Sequence, residues 1–391
     1  LAERNCALQV EAYRKLHDVY TDRNAAVRSI REKCPGKKIA WTFGSNVPDE
    51  LLMAAEMVPV RAYGDHELPR KAADRHLEAS FSSYWCGLFE KVVGGKNRDV
   101  MDVAVFSNTT IMIEKIYEYL KALDRVQPEL QLPPLMYYEQ ELFNPTHLSY
   151  KRAVENFEIF RNRLQIDYGY RITDANLRKA AEICNKNRDA LREFAELRNA
   201  PDCRVTGTEA LTVIGASLIM PKEESTELIS AVTQSAKNWP VVEAAPIYYT
   251  GTMQENTDLY ELIEESGGNV VGEDHDWGDR HFDRNVDLKD AYISQAIVAR
   301  YLYKYANSER GLVRNREKAV PDRAKAVGAK MFLLFMNTND ESFLWDLPSQ
   351  KPHFEEYGIE IYKIEGQKYP FENAAKLKEE LTGFISGRRD N

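Results

Sequence analysis

The chain alternates between short, continuously apolar runs and longer stretches in which apolar residues recur every three or four positions. The first pattern predicts buried strands and the second predicts helices with one buried face. Residues 38–64, KIAWTFGSNVPDELLMAAEMVPVRAYG, show both within one compact unit. Residues 38–43 form a β-prone run, and Gly44-Ser45-Asn46 marks a turn. Val47-Pro48-Asp49-Glu50 opens a helix, since proline is tolerated in a first turn and carboxylates oppose the positive helix end. Leu51, Leu52, Ala55 and Met57 supply its apolar side, and residues 58–63 resume a strand.

The same rhythm continues. Residues 81–93 and 111–120 read as helices, and residues 101–106 (MDVAVF) and 134–138 as strands. After a charged helical region come strands at 246–250, 269–271 and 329–336 and a helix at 258–265. A long amphipathic helix is expected at 288–306, a helix end, Gly358 and strand at 355–364, and a last helix at 371–384. Strands alternating with helices predict parallel sheets. The expected organisation is a helical arm at 1–35, a first α/β domain at 36–147, a helical connector at 148–240 and a second α/β domain at 241–391.

Composition narrows the class. The hydrophobic share of 43% and charged share of 29% are those of a globular protein. The net charge of −9 argues against a nucleic-acid partner. No apolar run approaches the ~18 residues that span a bilayer, so no membrane partner is expected. The opening LAERNCALQV shows no secretory leader, although the chain does not start at Met. The five cysteines, Cys6, Cys34, Cys86, Cys184 and Cys203, are scattered and odd in number, which favours a reducing cytoplasm over a disulfide framework.

No P-loop, GxGxxG, GxSxG or HExxH occurs. Ser45 stands in a strand-to-helix turn, where open α/β sheets bind ligands, and Glu50 lies in the first turn of the following helix. One reading makes Ser45 and nearby free backbone N–H groups a carbonyl or anion holder, with Glu50 handling a proton. The plainer reading makes them a helix cap and a dipole-matching carboxylate. The segment GEDHDWGDRHFD carries Glu273, Asp274, His275, Asp276, Asp279, His281 and Asp283. It reads as a solvated acidic loop in preference to a metal site. Three polar turns precede predicted helices: Ser80 to Ser83, Ser107 to Thr110, and Asn337 to Asp340. Singly each caps a helix; together, from both halves, they converge on one cleft.

Read in order, these blocks resemble the subunits of the 2-hydroxyacyl-CoA dehydratase and benzoyl-CoA reductase family. The resemblance is carried by SNVPDELLMAAEMVPVRAYG, HLEASFSSYWCGLFEKVVGG, DVAVFSNTTIMIEKIYEYL, VVGEDHDWGDRHF and MFLLFMNTNDESFLWDLP followed by FEEYGIEIYKIEGQ. It implies two flavodoxin-like (Rossmann-like) α/β domains, a homologous partner subunit, an ATP-dependent iron–sulfur activator and an acyl-CoA substrate turned over by ketyl-radical chemistry. It also implies a four-iron four-sulfur cluster held by one cysteine from each polar turn. At those positions this chain has Ser83, Thr110 and Thr338 or Asn339. Such clusters are held mainly by thiolates. Cys86, one turn beyond Ser83, has no second or third partner and reads as a buried thiol. The expectation is therefore a subunit with no cluster of its own, the cluster lying in the partner. Ser45 and Glu50 are then the catalytic candidates, and Ser83, Thr110, Thr338 and Asn339 the substrate-binding ones. The alternative is a non-redox CoA-thioester binder or lyase that reuses the emptied cleft.

Overall fold

The computed structural model describes residues 4–65, 69–94, 98–140, 146–306, 311–338, 340 and 342–386. Its frame is two four-stranded sheets, every adjacent pair parallel. The first sheet holds β1 (Lys38–Phe43), β2 (Met57–Arg61), β3 (Val103–Ser107) and β4 (Leu135–Tyr138) in the order β2-β1-β3-β4. The second holds β5 (Ala245–Gly251), β6 (Gly268–Asp274), β7 (Met331–Asn337) and β8 (Glu360–Gln367) in the order β6-β5-β7-β8. The expected two-domain flavodoxin-like α/β architecture is present, with one strand order used twice.

The apolar runs divide by parity, as side chains on a pleated strand must. Ile39, Trp41 and Phe43 of β1 and Ala104 and Phe106 of β3 enter one core; Ala40, Val103 and Val105 enter another. The first core also receives Ile247, Tyr249, Leu333 and Phe335 of the second sheet. A single apolar mass thus lies between the sheets. The outer face of the first sheet is covered by helices His147–Tyr168, Asp174–Glu196 and Ile293–Leu302. The outer face of the second is covered by helices Val313–Ala326 and Leu347–Glu356. The N-terminal region forms helices Asn5–Leu8, Glu11–Thr21 and Arg23–Lys33. Glu11–Thr21 packs on Gly207–Ser217 and Lys222–Ala236.

Three sequence expectations change. The helix expected at 288–306 is confined to Ile293–Leu302. Asp287 and Asp290 accept the backbone N–H groups of Lys289 and Tyr292 at 2.9 and 2.8 Å, and these local turns compete with helix. That helix also packs with the first sheet's outer helices, although it follows two strands of the second. The strand expected at 269–271 runs to Asp274, which draws Glu273 and Asp274 into the sheet.

Two glycines let the layers close. Gly44 follows β1 with φ +98°, and Gly251 ends β5 with φ +129°, a backbone region that favours glycine. A Cβ on Gly44 would strike the Thr109 hydroxyl, and one on Gly251 would strike the Phe335 carbonyl of β7. We expect Gly251→Ala to lower stability by about 1–3 kcal/mol in urea unfolding, since strain and a backbone collision add. A loss under about 0.5 kcal/mol would show that β5 and β7 have room to part.

Candidate functional site

Ligands of open parallel sheets bind beyond the carboxyl ends of the strands, where the strand order reverses. Both sheets here direct those ends at one cavity of about 560 Å³. Much of its wall is built from residues that follow strands: Gly44 after β1, Asn108 to Ile113 after β3, Thr252 to Asn256 after β5, His275 to Trp277 after β6, and Thr338 after β7. Arg61 contributes from the end of β2, and Tyr84, Trp85, Phe343 and Tyr369 add aromatic surface. The amino end of helix Ile111–Val126 meets this space.

The sequence candidates are not all brought together. Thr110 and Thr338 line the cavity, one from each half. Thr110 also caps its helix, accepting the Ile113 N–H at 3.4 Å, and Thr338 donates to the Gly366 carbonyl at 3.2 Å. Ser83 is the first residue of helix Ser83–Gly94, and its neighbours Ser80 and Ser82 are on the wall. Asn339 lies outside the described residues.

Ser45 is buried beside the cavity. Its backbone N–H is not free, as the sequence suggests: it donates to Thr109 Oγ1 at 3.0 Å. Its hydroxyl makes no hydrogen bond of normal geometry among the described residues, but it lies near Asp276 and favours that carboxyl's ionised form. Glu50 has no exposed surface at all. It is ion-paired with Arg188 of helix Asp174–Glu196 and accepts the Tyr301 hydroxyl at 3.0 Å. Asp49 beside it meets Lys222 at 3.3 Å. These two carboxylates join the helix after β1 to the connector helices, a role that neither proton transfer nor simple dipole matching describes. Removing one member of such a buried pair typically costs about 3–5 kcal/mol.

The acidic segment after β6 is likewise not solvated. Glu273, Asp274 and Asp276 are buried, and each has an arginine. Glu273 and Asp279 share Arg198, Asp274 lies 3.0 Å from Arg323, Asp276 3.1 Å from Arg280, and Asp283 3.3 Å from Arg300. Burial opposes the charge on Asp276, but Arg280, Lys304 and Arg61 outweigh it and hold the carboxyl far below its usual range. Burial drives His275 down to about 3. Its Nδ1 accepts the Trp277 N–H at 3.2 Å and its Nε2 meets the Tyr260 hydroxyl at 3.0 Å, which makes a neutral imidazole with the proton on Nε2.

Among the described residues no three His, Cys, Asp or Glu are grouped to hold a metal ion. The thiols are also misplaced for a thiolate-held cluster. Cys86 donates to the Phe81 carbonyl at 3.7 Å, and burial raises its pKa. Cys184 packs against the Met53 sulfur at 3.6 Å, and Cys203 donates to the Val205 carbonyl at 3.1 Å. Among the described residues no cysteine lies on the cavity wall; beside oxygen and nitrogen donors it offers only the thioethers of Met112 and Met253, a set without the thiolates that hold an iron–sulfur cluster.

Two wall residues escape the sequence reading. Arg61 has a legible signal: a cation closing an apolar strand at its ligand-binding end. Glu255 has none, because only the fold brings it over the Gly64 N–H, which it accepts at 2.8 Å, with Arg23 at 3.8 Å. Burial, opposed by Arg23 and that N–H, raises the Glu255 carboxyl to about 7. Between its unfolded range near 4.5 and this value, folding takes up a proton, so the stability tied to protonated Glu255 is complete at acid pH and lost as pH rises through 7. Glu255→Gln should therefore gain about 3 kcal/mol on wild type between pH 4.5 and 8 in denaturant melts. Parallel curves for the two proteins would contradict this placement.

The model of the family described as 2-hydroxyglutaryl-CoA dehydratase, D-component, matches residues 44–386. Relatives are more distant in sequence but cover most of the chain. The (R)-phenyllactyl-CoA dehydratase beta subunit of Clostridium sporogenes is 24% identical over 84% of this chain and 86% of its own. The lactoyl-CoA dehydratase subunit beta of Anaerotignum propionicum is 21% identical over 86% of this chain and 88% of its own. A benzoyl-CoA reductase subunit of Thauera aromatica is 23% identical over 64% of each. The matched region holds every strand but β1, together with every turn on the cavity wall. The chain belongs to the 2-hydroxyglutaryl-CoA dehydratase D-component family.

Proposed function

We propose that this chain is one subunit of a heteromeric 2-hydroxyacyl-CoA dehydratase or benzoyl-CoA reductase type enzyme, and that it carries no iron–sulfur cluster itself. The observation that carries the proposal is the cavity: the turns of both sheets meet there, and among the described residues no thiol stands on its wall. A homologous partner subunit then holds the four-iron four-sulfur cluster, and an ATP-dependent iron–sulfur activator supplies the electron. The relatives named as beta subunits support a partner of this kind.

Within that enzyme the chain binds and shields the CoA thioester. Tyr84, Trp85 and Trp277 offer apolar surface to the acyl part. Thr110 and Thr338 offer hydroxyls, and the amino end of helix Ile111–Val126 offers a positive field to thioester oxygen. Ser45 acts through Asp276 and Glu50 through Arg188, so both position the wall. The division we keep is arm 1–35, domains 36–147 and 241–391, and connector 148–240, with residues 293–302 and the first two connector helices lying against the first sheet. Among the described residues no helix is long and apolar enough to cross a membrane, and a cytoplasmic enzyme is consistent with that.

One observation favours a second reading, a non-redox lyase: Glu255 borders the cavity and titrates near neutrality, as a general acid–base would. Two measurements separate the readings. Purified anaerobically with its partner subunit, this polypeptide should hold no stoichiometric iron, and turnover should require ATP and reductant. A full cluster on this chain alone would overturn the first reading, and turnover by this chain alone in air would establish the second.

A further inference from the structure

The ion pairs around the cavity leave the cation of its wall over. Asp49 has Lys222, Glu50 has Arg188, Asp274 has Arg323, Asp276 has Arg280 and Asp283 has Arg300. Arg61 stands among them and is only 8% exposed, yet no carboxylate lies within 4.0 Å of it among the described residues. Its field reaches Asp49 and Asp276, but both are already matched. Its side-chain hydrogen bond to the Asp276 carbonyl is 3.5 Å long, the limit of such a contact, and its Nε has no partner among the described residues. A guanidinium keeps its charge in protein environments and offers five donors in a planar fork. Burying one with most of that fork unused is costly unless something completes it.

Arg61 lies on the cavity wall at the carboxyl end of β2. Lys222, Arg280 and Arg300 are already paired; on the wall itself Asp274 and Asp276 have their arginines, Asp340 accepts the Thr252 hydroxyl at 2.6 Å, and Glu114 stands among aromatic and neutral polar residues such as Tyr84, Trp277, Ser82 and Asn108. Glu255 on that wall has Arg23 as its cation, at 3.8 Å. We propose that Arg61 is the oxyanion-binding group of this cavity, holding the anionic end of a ligand whose body is otherwise apolar. This rests on the CoA-thioester reading and narrows it. Two sources share the required chemistry, a terminal carboxylate on the acyl chain and a phosphate of CoA.

The full-length chain would be titrated with glutaryl-CoA, butyryl-CoA, free CoA and glutarate, reading quenching of the cavity tryptophans Trp85 and Trp277. Wild type is compared with Arg61→Met and with Arg61→Lys, which keeps charge without the fork. If the anion is an acyl carboxylate, wild type binds glutaryl-CoA at least tenfold more tightly than butyryl-CoA, and R61M removes that preference. If it is a phosphate, R61M weakens glutaryl-CoA, butyryl-CoA and free CoA alike, by tenfold or more. Either result supports the proposal, with R61K intermediate. Unchanged affinities in R61M for every probe would overturn it. Arg61-dependent binding of glutarate without binding of any CoA compound would keep the proposal and remove the CoA reading. Butyryl-CoA binding that ignores Arg61, with no preference for glutaryl-CoA, would do the reverse. Thermal unfolding supplies an independent check, because removing an unmatched buried cation should leave the melting temperature of R61M unchanged or raised. A clear fall in it with unchanged affinities would make Arg61 a structural counter-ion for Asp49 and Asp276, and the proposal would fail.

Discussion

Everything functional in this molecule follows from how two parallel sheets share one core. The strand order β2-β1-β3-β4 recurs as β6-β5-β7-β8, and the inward side chains of both sheets fuse into one apolar mass. Parallel strands oblige all carboxyl ends of a sheet to lie along one edge. With the inner faces joined, the two edges open on a common space. Gly44, just after β1, and Gly251, at the end of β5, let the turn at Thr109 and strand β7 approach without a collision. The cavity is thus a product of topology first and of particular side chains second.

The second layer of organisation is charge. Carboxylates and guanidinium groups are buried in pairs that cross between elements distant in sequence: Glu50 to Arg188, Glu273 to Arg198, Asp274 to Arg323. A buried pair of this kind adds modest net stability, but each charge stranded by a wrong packing is expensive. The pairs therefore bind the turn after β1, the segment after β6 and the connector helices in one arrangement. Against that background of matched pairs, Arg61 is conspicuous for having no carboxylate partner among the described residues, and Glu255 for having its arginine no nearer than 3.8 Å.

Much of the frame was legible in the sequence. KIAWTF and DVAVF are continuous apolar runs, and both became parallel strands buried on two faces, the environment such runs suit. Thr173 and Thr206 begin helices through reciprocal capping boxes, a local signal that tertiary structure respected. What could not be read locally was what each polar residue would face. Asp49 and Glu50 look like surface carboxylates of a first helical turn until Lys222 and Arg188 arrive from 173 and 138 residues further on. The acidic segment at the end of β6 looks solvated because Arg198, Arg323 and Arg300, the partners of Glu273, Asp274 and Asp283, lie outside it; only Arg280, paired with Asp276, is local. Helix Val313–Ala326 was obscured by its internal Pro321 and by a surface composed mostly of charges. The meeting of Thr110 and Thr338 was anticipated only because three similar turns follow one another in a familiar order.

The central claim is that the space between the two sheet edges is where this chain meets a CoA thioester. Hydrogen–deuterium exchange of the full chain, with and without saturating butyryl-CoA, tests it most directly. Slowed exchange should appear in the backbone at 108–112, 252–256 and 275–277, with the outer helices His147–Tyr168 and Leu347–Glu356 unchanged. Protection confined to those outer helices, with the cavity turns exchanging as before, would contradict the account.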